Sequence, residues 1–151
     1  MVKQGKQNIM ADVMDIMEIL PHRYPMLLID AVLEYEAGIF AIAKKEFSYN
    51  ESYFQGHYPK KPIVPGTLLL ESLSQTATFA ILSGESGGED SLLFTGVNRL
   101  RFFKAVFPGD CVIYKAEIIN NRHGLWSVNG EGTVEGQVCI NAEMTFVKKN
   151  Y

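Results

Sequence analysis

The stretch "VPGTLLLESLSQTATFAILSG", residues 64–84, decides the fold. From Thr67 to Leu82 it holds no proline or glycine and is rich in leucine and alanine, so it predicts a helix of about sixteen residues. At 1.5 Å per residue such a helix is about 24 Å long. Its start is marked by Pro65-Gly66, because proline is excluded from a helix interior. Its end is marked by "SGESGGED", residues 83–90, which reads as a mobile loop. Pro59, Pro62 and Pro65 keep 57–65 extended before it.

Outward from this helix the chain reads as strands. "MLLIDAVLEYE" (26–36) and "IFAIAKKEF" (39–47) flank an Ala37-Gly38 turn. Beyond the helix come "SLLFTGV" (91–97), "LRFFKAVF" (100–107) and the turn Pro108-Gly109-Asp110. "CVIYKAEII" (111–119) then places Val112, Tyr114, Ala116 and Ile118 on one face, with Ile113, Lys115 and Glu117 opposite. "NNRHG" leads into "LWSVNGEGTVE" (125–135). In "QVCINAEMTFV" (137–147), Val138, Ile140, Ala142, Met144 and Phe146 alternate cleanly. Near the start, Asp12 caps a short helix carrying Val13, Ile16, Met17, Ile19 and Leu20, which stops before Pro21. One long helix among runs of strands is α+β, a single domain over 1–151 with an antiparallel sheet able to wrap that helix. A helix so enclosed should be apolar nearly all round.

Glu71, Gln75 and Thr78 break that expectation, since i, i+4 and i+7 fall on one face. Two plain accounts exist. The face is exposed with Glu71 near the positive helix end, or Gln75 and Thr78 satisfy each other or the backbone. A third account adds His57, in the loop that leads straight into the helix. A histidine and a carboxylate are the two groups general acid–base chemistry needs. Gly66 contributes backbone N–H at the helix start with no Cβ in the way, a suitable place for an enolate-like oxygen. His22, in "PHRYP", is read as structural, capping or packing the end of the first helix; His123 lies in a polar turn.

The bulk properties exclude several classes. The chain has 151 residues, 47% apolar and 21% charged, with a formal charge of -3, which offers no general attraction to nucleic acid or anionic membranes. No 18-residue apolar run exists, and the first twenty residues lack a signal-peptide pattern. Cys111 and Cys139, far apart within strand-like runs, read as reduced thiols of a cytoplasmic protein. No cysteine or histidine spacing suits a metal, and no cofactor is expected.

Three motifs in order, "LPHRYPMLLID", "FQGHYPKKPIVPGTLLLESLSQ" and "FTGVNRLRFFKAVFPGD", resemble the β-hydroxyacyl-acyl carrier protein dehydratases of type II fatty-acid synthesis. The likeness runs from about residue 12 to 147. It implies a hotdog fold, an antiparallel sheet wrapped around a long central helix. It also implies a homodimer or trimer of dimers whose sites combine His57 of one subunit with Glu71 of the other. His57 would remove the C2 proton of a 3-hydroxyacyl thioester, and Glu71 would protonate the C3 hydroxyl, with a water held by Gln75. The Gly66 N–H would polarise the thioester carbonyl. The partner implied is an acyl carrier protein with a phosphopantetheine-linked chain, docked by Arg99, Arg101 and Lys104 or by Lys60-Lys61. Leu69, Leu73, Phe102 and Phe103 would line the acyl tunnel. The chain departs from the family's usual residues at Thr67, Ser72, Leu73, Ser74, Phe103 and Ala105. A specialised dehydratase of a polyketide-like or aryl-polyene pathway, a hotdog thioesterase, and a non-catalytic carrier-binding subunit therefore stand as alternatives.

Overall fold

The computed structural model describes residues 8–85 and 91–149. The loop read at 83–90 lies largely outside them, as does the beginning of the N-terminal segment. The elements are α1 (Val13–Ile19), β1 (Ala31–Glu36), β2 (Phe40–Glu46), a 3-10 turn (Ser52–Gln55), α2 (Gly66–Leu82), β3 (Ser91–Phe102), β4 (Cys111–Arg122), β5 (Leu125–Val134) and β6 (Gln137–Lys149). Six strands form one sheet in the order β1-β2-β4-β5-β6-β3, and every neighbouring pair is antiparallel. The fold is a hotdog: the sheet curves around α2, which packs mainly on β4 and β2.

Local chemistry explains most boundaries. Asp12 accepts hydrogen bonds from the Met14 and Asp15 amides while Asp15 reaches back to the Asp12 N–H, a capping box that starts α1. The β4–β5 and β5–β6 hairpins close through His123-Gly124 and Glu135-Gly136, each with both central residues at positive φ, the backbone a two-residue hairpin requires. The alternating faces of β4 and β6 bury Val112, Tyr114, Ala116, Ile140, Ala142, Met144 and Phe146, as the sequence pattern predicts. Cys111 and Cys139 are free thiols.

Three expectations are corrected. Residues 26–30 are not strand, because the Leu28 N–H and Met26 C=O are taken by the Gln75 side chain rather than by a neighbouring strand. The two strands read at 91–97 and 100–107 are one, interrupted by a bulge at Asn98–Arg101 where Arg99 has φ 48°. After Phe102 the chain leaves the sheet, and Val106 C=O accepts from Val64 N–H at 2.8 Å. That bond sets 102–106 beside the start of α2.

The third correction concerns α2 itself. From Ser72 to Ile81 every residue is buried, yet Ser72, Ser74, Gln75, Thr76 and Thr78 are polar. Their hydroxyls bond carbonyls of the preceding turn: Ser72 to Leu68 (3.1 Å), Ser74 to Glu71 (3.0 Å), Thr76 to Ser72 and Thr78 to Ser74 (both 2.9 Å). Each hydroxyl is satisfied within the helix, so the serines and threonines pack like alanine without an unpaired donor, while the Gln75 amide bonds outside it. Thr78 therefore belongs to the packing rather than to a reactive stripe.

Candidate active site

His57 is held by its own loop. The Tyr53 carbonyl accepts the His57 N–H at 2.9 Å, and the His57 carbonyl accepts the Ile63 N–H at 3.0 Å. Its Nδ1 lies 2.9 Å from the Ile63 carbonyl oxygen. A carbonyl only accepts, so Nδ1 carries the proton and Nε2 presents a lone pair, the tautomer of a general base. The loop is anchored at its start by Lys45, a nearly buried lysine on β2 whose Nζ lies 2.9 Å from Glu51 and 3.4 Å from Asp30. Glu51 is the residue that precedes the 3-10 turn carrying Tyr53.

Gly66 opens α2, with Pro65 as its N-cap. The Pro65 carbonyl takes the Leu68 and Leu69 amides, and the Gly66 N–H stands ahead of the first intrahelical bond. The ring of Phe102 lies across this residue: a Cβ at Gly66 would come within 2.9–3.2 Å of three ring carbons. Glycine is thus required for the approach of the aromatic face and of anything that replaces it. His57 and Gly66 line one cleft of about 630 Å³ together with Leu69, Phe102, Phe103 and Lys104. Leu73 is absent from that wall; it is fully buried in the core.

Glu71 lies elsewhere. Its carboxyl is about one-quarter exposed and is not among the residues of the His57 cleft. Gln75, fully buried, donates from Nε2 to Glu71 Oε1 at 2.8 Å and to the Met26 carbonyl at 2.6 Å, while its Oε1 accepts the Leu28 N–H at 2.8 Å. Both Gln75 N–H bonds are spent on protein groups. The amide anchors the carboxyl to the 26–28 segment, whereas the family resemblance implied that it would hold a water.

His22, read from the sequence as structural, has its Nε2 3.7 Å from Glu71 Oε1. Burial lowers its pKa below the ordinary value; Glu71 opposes that shift and Arg23 adds to it. The Arg23 guanidinium bonds the carbonyls of Leu20, His22 and Met17 at the end of α1. The sequence signal was "PHRYP" itself, with a histidine directly after the first helix, but nothing local linked it to Glu71.

The basic residues are scattered. Arg99 pairs with Glu143 at 3.1 Å; with Arg101 and Lys115 it lines a separate hollow of about 680 Å³ that also holds Glu117, Glu131 and Glu143. Lys104 borders the His57 cleft and donates to Gln137 at 3.0 Å, and Lys60 and Lys61 are exposed on the loop between His57 and α2.

Comparison with known proteins bears on the family and the fold. The family model of the FabA-like domain matches residues 20–143. The chain is 47% identical over 138 residues to a 3-hydroxyacyl-[acyl-carrier-protein] dehydratase FabZ of Petrotoga mobilis, covering 90% of this chain and 97% of that one. It is 43% identical over 135 residues to the FabZ dehydratase of Staphylococcus saprophyticus, covering 89% and 93%. Among solved structures, the dehydratase heterocomplex ApeI:P of Xenorhabdus doucetiae superposes with a TM-score of 0.72 at 18% identity, over 89% of this chain and 91% of that one. A hypothetical thioesterase of Streptococcus pneumoniae with coenzyme A gives 0.63 at 11% identity, over 79% and 84%, a likeness of fold alone. The chain belongs to the FabA-like family.

Proposed function

We propose that this protein is a hydro-lyase that dehydrates a (3R)-3-hydroxyacyl thioester, carried on the phosphopantetheine arm of an acyl carrier protein, to the trans-2-enoyl thioester in fatty-acid biosynthesis. The observation that carries this reading is the cleft shared by His57 and Gly66. There a histidine whose Nδ1 is held by a carbonyl shares the cleft with a helix start able to receive a carbonyl oxygen. The thioester carbonyl accepts from the Gly66 N–H, which favours the charge that develops as the C2 proton moves to His57 Nε2. The electron pair left at C2 forms the C2–C3 double bond, the C3–O bond breaks, and Glu71 protonates the departing oxygen as water. Each dehydration leaves His57 as imidazolium and Glu71 as carboxylate; His57 returns its proton to solvent and Glu71 takes one up, which resets the pair, and the reverse hydration uses the same groups.

Glu71 stands outside the His57 cleft, so the reaction calls for a second copy, His57 of one subunit meeting Glu71 of the other. β3 supports this. It is an edge strand of twelve residues with Phe94, Val97 and Phe102 substantially exposed, and an apolar edge of that length is normally paired. The carrier docks by Lys104, which borders the cleft, and by the exposed Lys60-Lys61 on the loop after His57, and the free thiols fit a cytoplasmic enzyme. Arg99, committed to Glu143, is left out of that role.

The test is incubation with 3-hydroxyacyl-carrier substrates of several chain lengths. Formation of a conjugated enoyl product, reduced about 10²–10⁴-fold in both His57→Ala and Glu71→Gln, is expected. Release of free carrier thiol without an enoyl product, or an inactive wild type at every length, would overturn the reading. Equilibrium sedimentation checks the subunit pairing, and a strictly monomeric active enzyme would exclude it.

A further inference from the structure

Around Glu71 the contacts fall on one oxygen. Gln75 Nε2 donates to Oε1 at 2.8 Å, and His22 Nε2 lies 3.7 Å from the same Oε1. Neither contact takes Oε2. The other ring nitrogen of His22, Nδ1, is buried with no hydrogen-bond partner among the described residues. A proton on Nδ1 would be a buried donor without an acceptor, which is costly. On Nε2 the proton faces a carboxyl oxygen a short ring movement away, and catalytic hydrogen bonds commonly tighten from such lengths once substrate is bound. The charged neighbours of His22 are Glu71 on α2 and Arg23 beside it in its own loop; the 26–28 segment brings only backbone groups and the α1 end only carbonyls. Burial opposes a charged imidazole there, so the ring acts as a neutral donor rather than as a fixed cation that would keep Glu71 ionised.

We propose that His22 is a positioning residue for Glu71. Its Nε2–H and the Gln75 amide together orient the carboxyl by Oε1 and leave Oε2 as the oxygen that meets the substrate hydroxyl. After Glu71 has given up its proton, the same N–H faces the new carboxylate and stabilises it without a change in the charge of His22. This inference rests on the acid role of Glu71 given above.

The experiment pairs a readout that needs no turnover with one that does. The three histidines are followed by NMR through a pH titration of the wild type, with His22→Gln used to assign the signal. Where the His22 ring is neutral its nitrogen shifts are expected to report the Nε2–H tautomer, because Nε2 is the nitrogen that faces Glu71 Oε1. A neutral ring with its proton on Nδ1 would overturn the proposal, whatever the enzyme does. In turnover, His22→Ala is expected to lose about 10²-fold in kcat with little change in KM, and His22→Gln, which restores a neutral N–H donor, to recover most of it. His22→Ala with wild-type kcat, or His22→Gln no better than His22→Ala, would also overturn it. If His22→Ala does not fold, the titration decides alone. A wild type without dehydratase activity would sink the function proposed above and leave the titration to judge the contact.

Discussion

Replacing Gln75 with leucine isolates the join between α2 and the 26–28 segment. The two side chains are close in volume, so the core at this fully buried position is neither emptied nor overfilled. What changes is hydrogen bonding. The Leu28 N–H, itself buried, loses its 2.8 Å acceptor, the Met26 carbonyl loses its 2.6 Å donor, and Glu71 loses its 2.8 Å anchor. An unsatisfied buried backbone group costs about 1–3 kcal/mol. Met26 is half-exposed, so its carbonyl can recover a water and lies at the low end, while Leu28 lies at the high end. The sum is about 4 kcal/mol, which for a chain of 151 residues lowers Tm by roughly 8–16 °C. Circular dichroism melts measure this directly, and kcat should fall as well because Glu71 is no longer held. Gln75→Glu should be worse, since its second oxygen would face two acceptors, the Met26 carbonyl and Glu71 Oε1. A Gln75→Leu protein melting within about 2 °C of wild type would refute the anchoring argument.

Gly66→Ala should separate activity from stability. The added Cβ meets the ring of Phe102, which is half-exposed and can turn aside, so Tm should move little while kcat/KM falls about 10²-fold. Removing the ring as well, in Gly66→Ala/Phe102→Ala, should not restore turnover, and restoration would show that the ring rather than the carbonyl approach was at stake. Lys45→Met leaves Asp30 and Glu51 without their shared cation. Breaking a buried pair costs about 3–5 kcal/mol, reduced here to about 2 because both carboxylates can rehydrate, and urea unfolding will read it. For His22, whose folded pKa is depressed, the contribution to stability is present above the unfolded value of 6.5 and is lost as pH falls through the lower folded value. The urea midpoint should therefore decline with acidification below about pH 6.5 more steeply in wild type than in His22→Gln.

Much of this protein was legible in one dimension because the signals are local. The proline and glycine before Thr67, the uninterrupted helical run after them and the period-two alternation of 111–119 and 137–147 each depend on near neighbours. They determined a central helix, the antiparallel strands and the motif order that marks the family. They also put His57, Gly66 and Glu71 on a loop, a helix start and a helix face. What the sequence could not contain was the pairing of groups far apart along the chain. Gln75 reaches Met26 and Leu28 across nearly fifty residues, and through those bonds it turns an expected strand into a tether. Thr78 stood in a polar stripe, and Ser72 and Ser74 stood as departures from the family's usual residues; back-bonds to the preceding turn, which Thr76 also makes, show their hydroxyls to be satisfied. His22 read as the end of a short helix, and only the packing of α1 and its loop against α2 brought its ring to Glu71. Local propensity and hydrophobic period determine elements. Which polar atoms meet is decided when burial removes water and each donor must find an acceptor within about 3 Å.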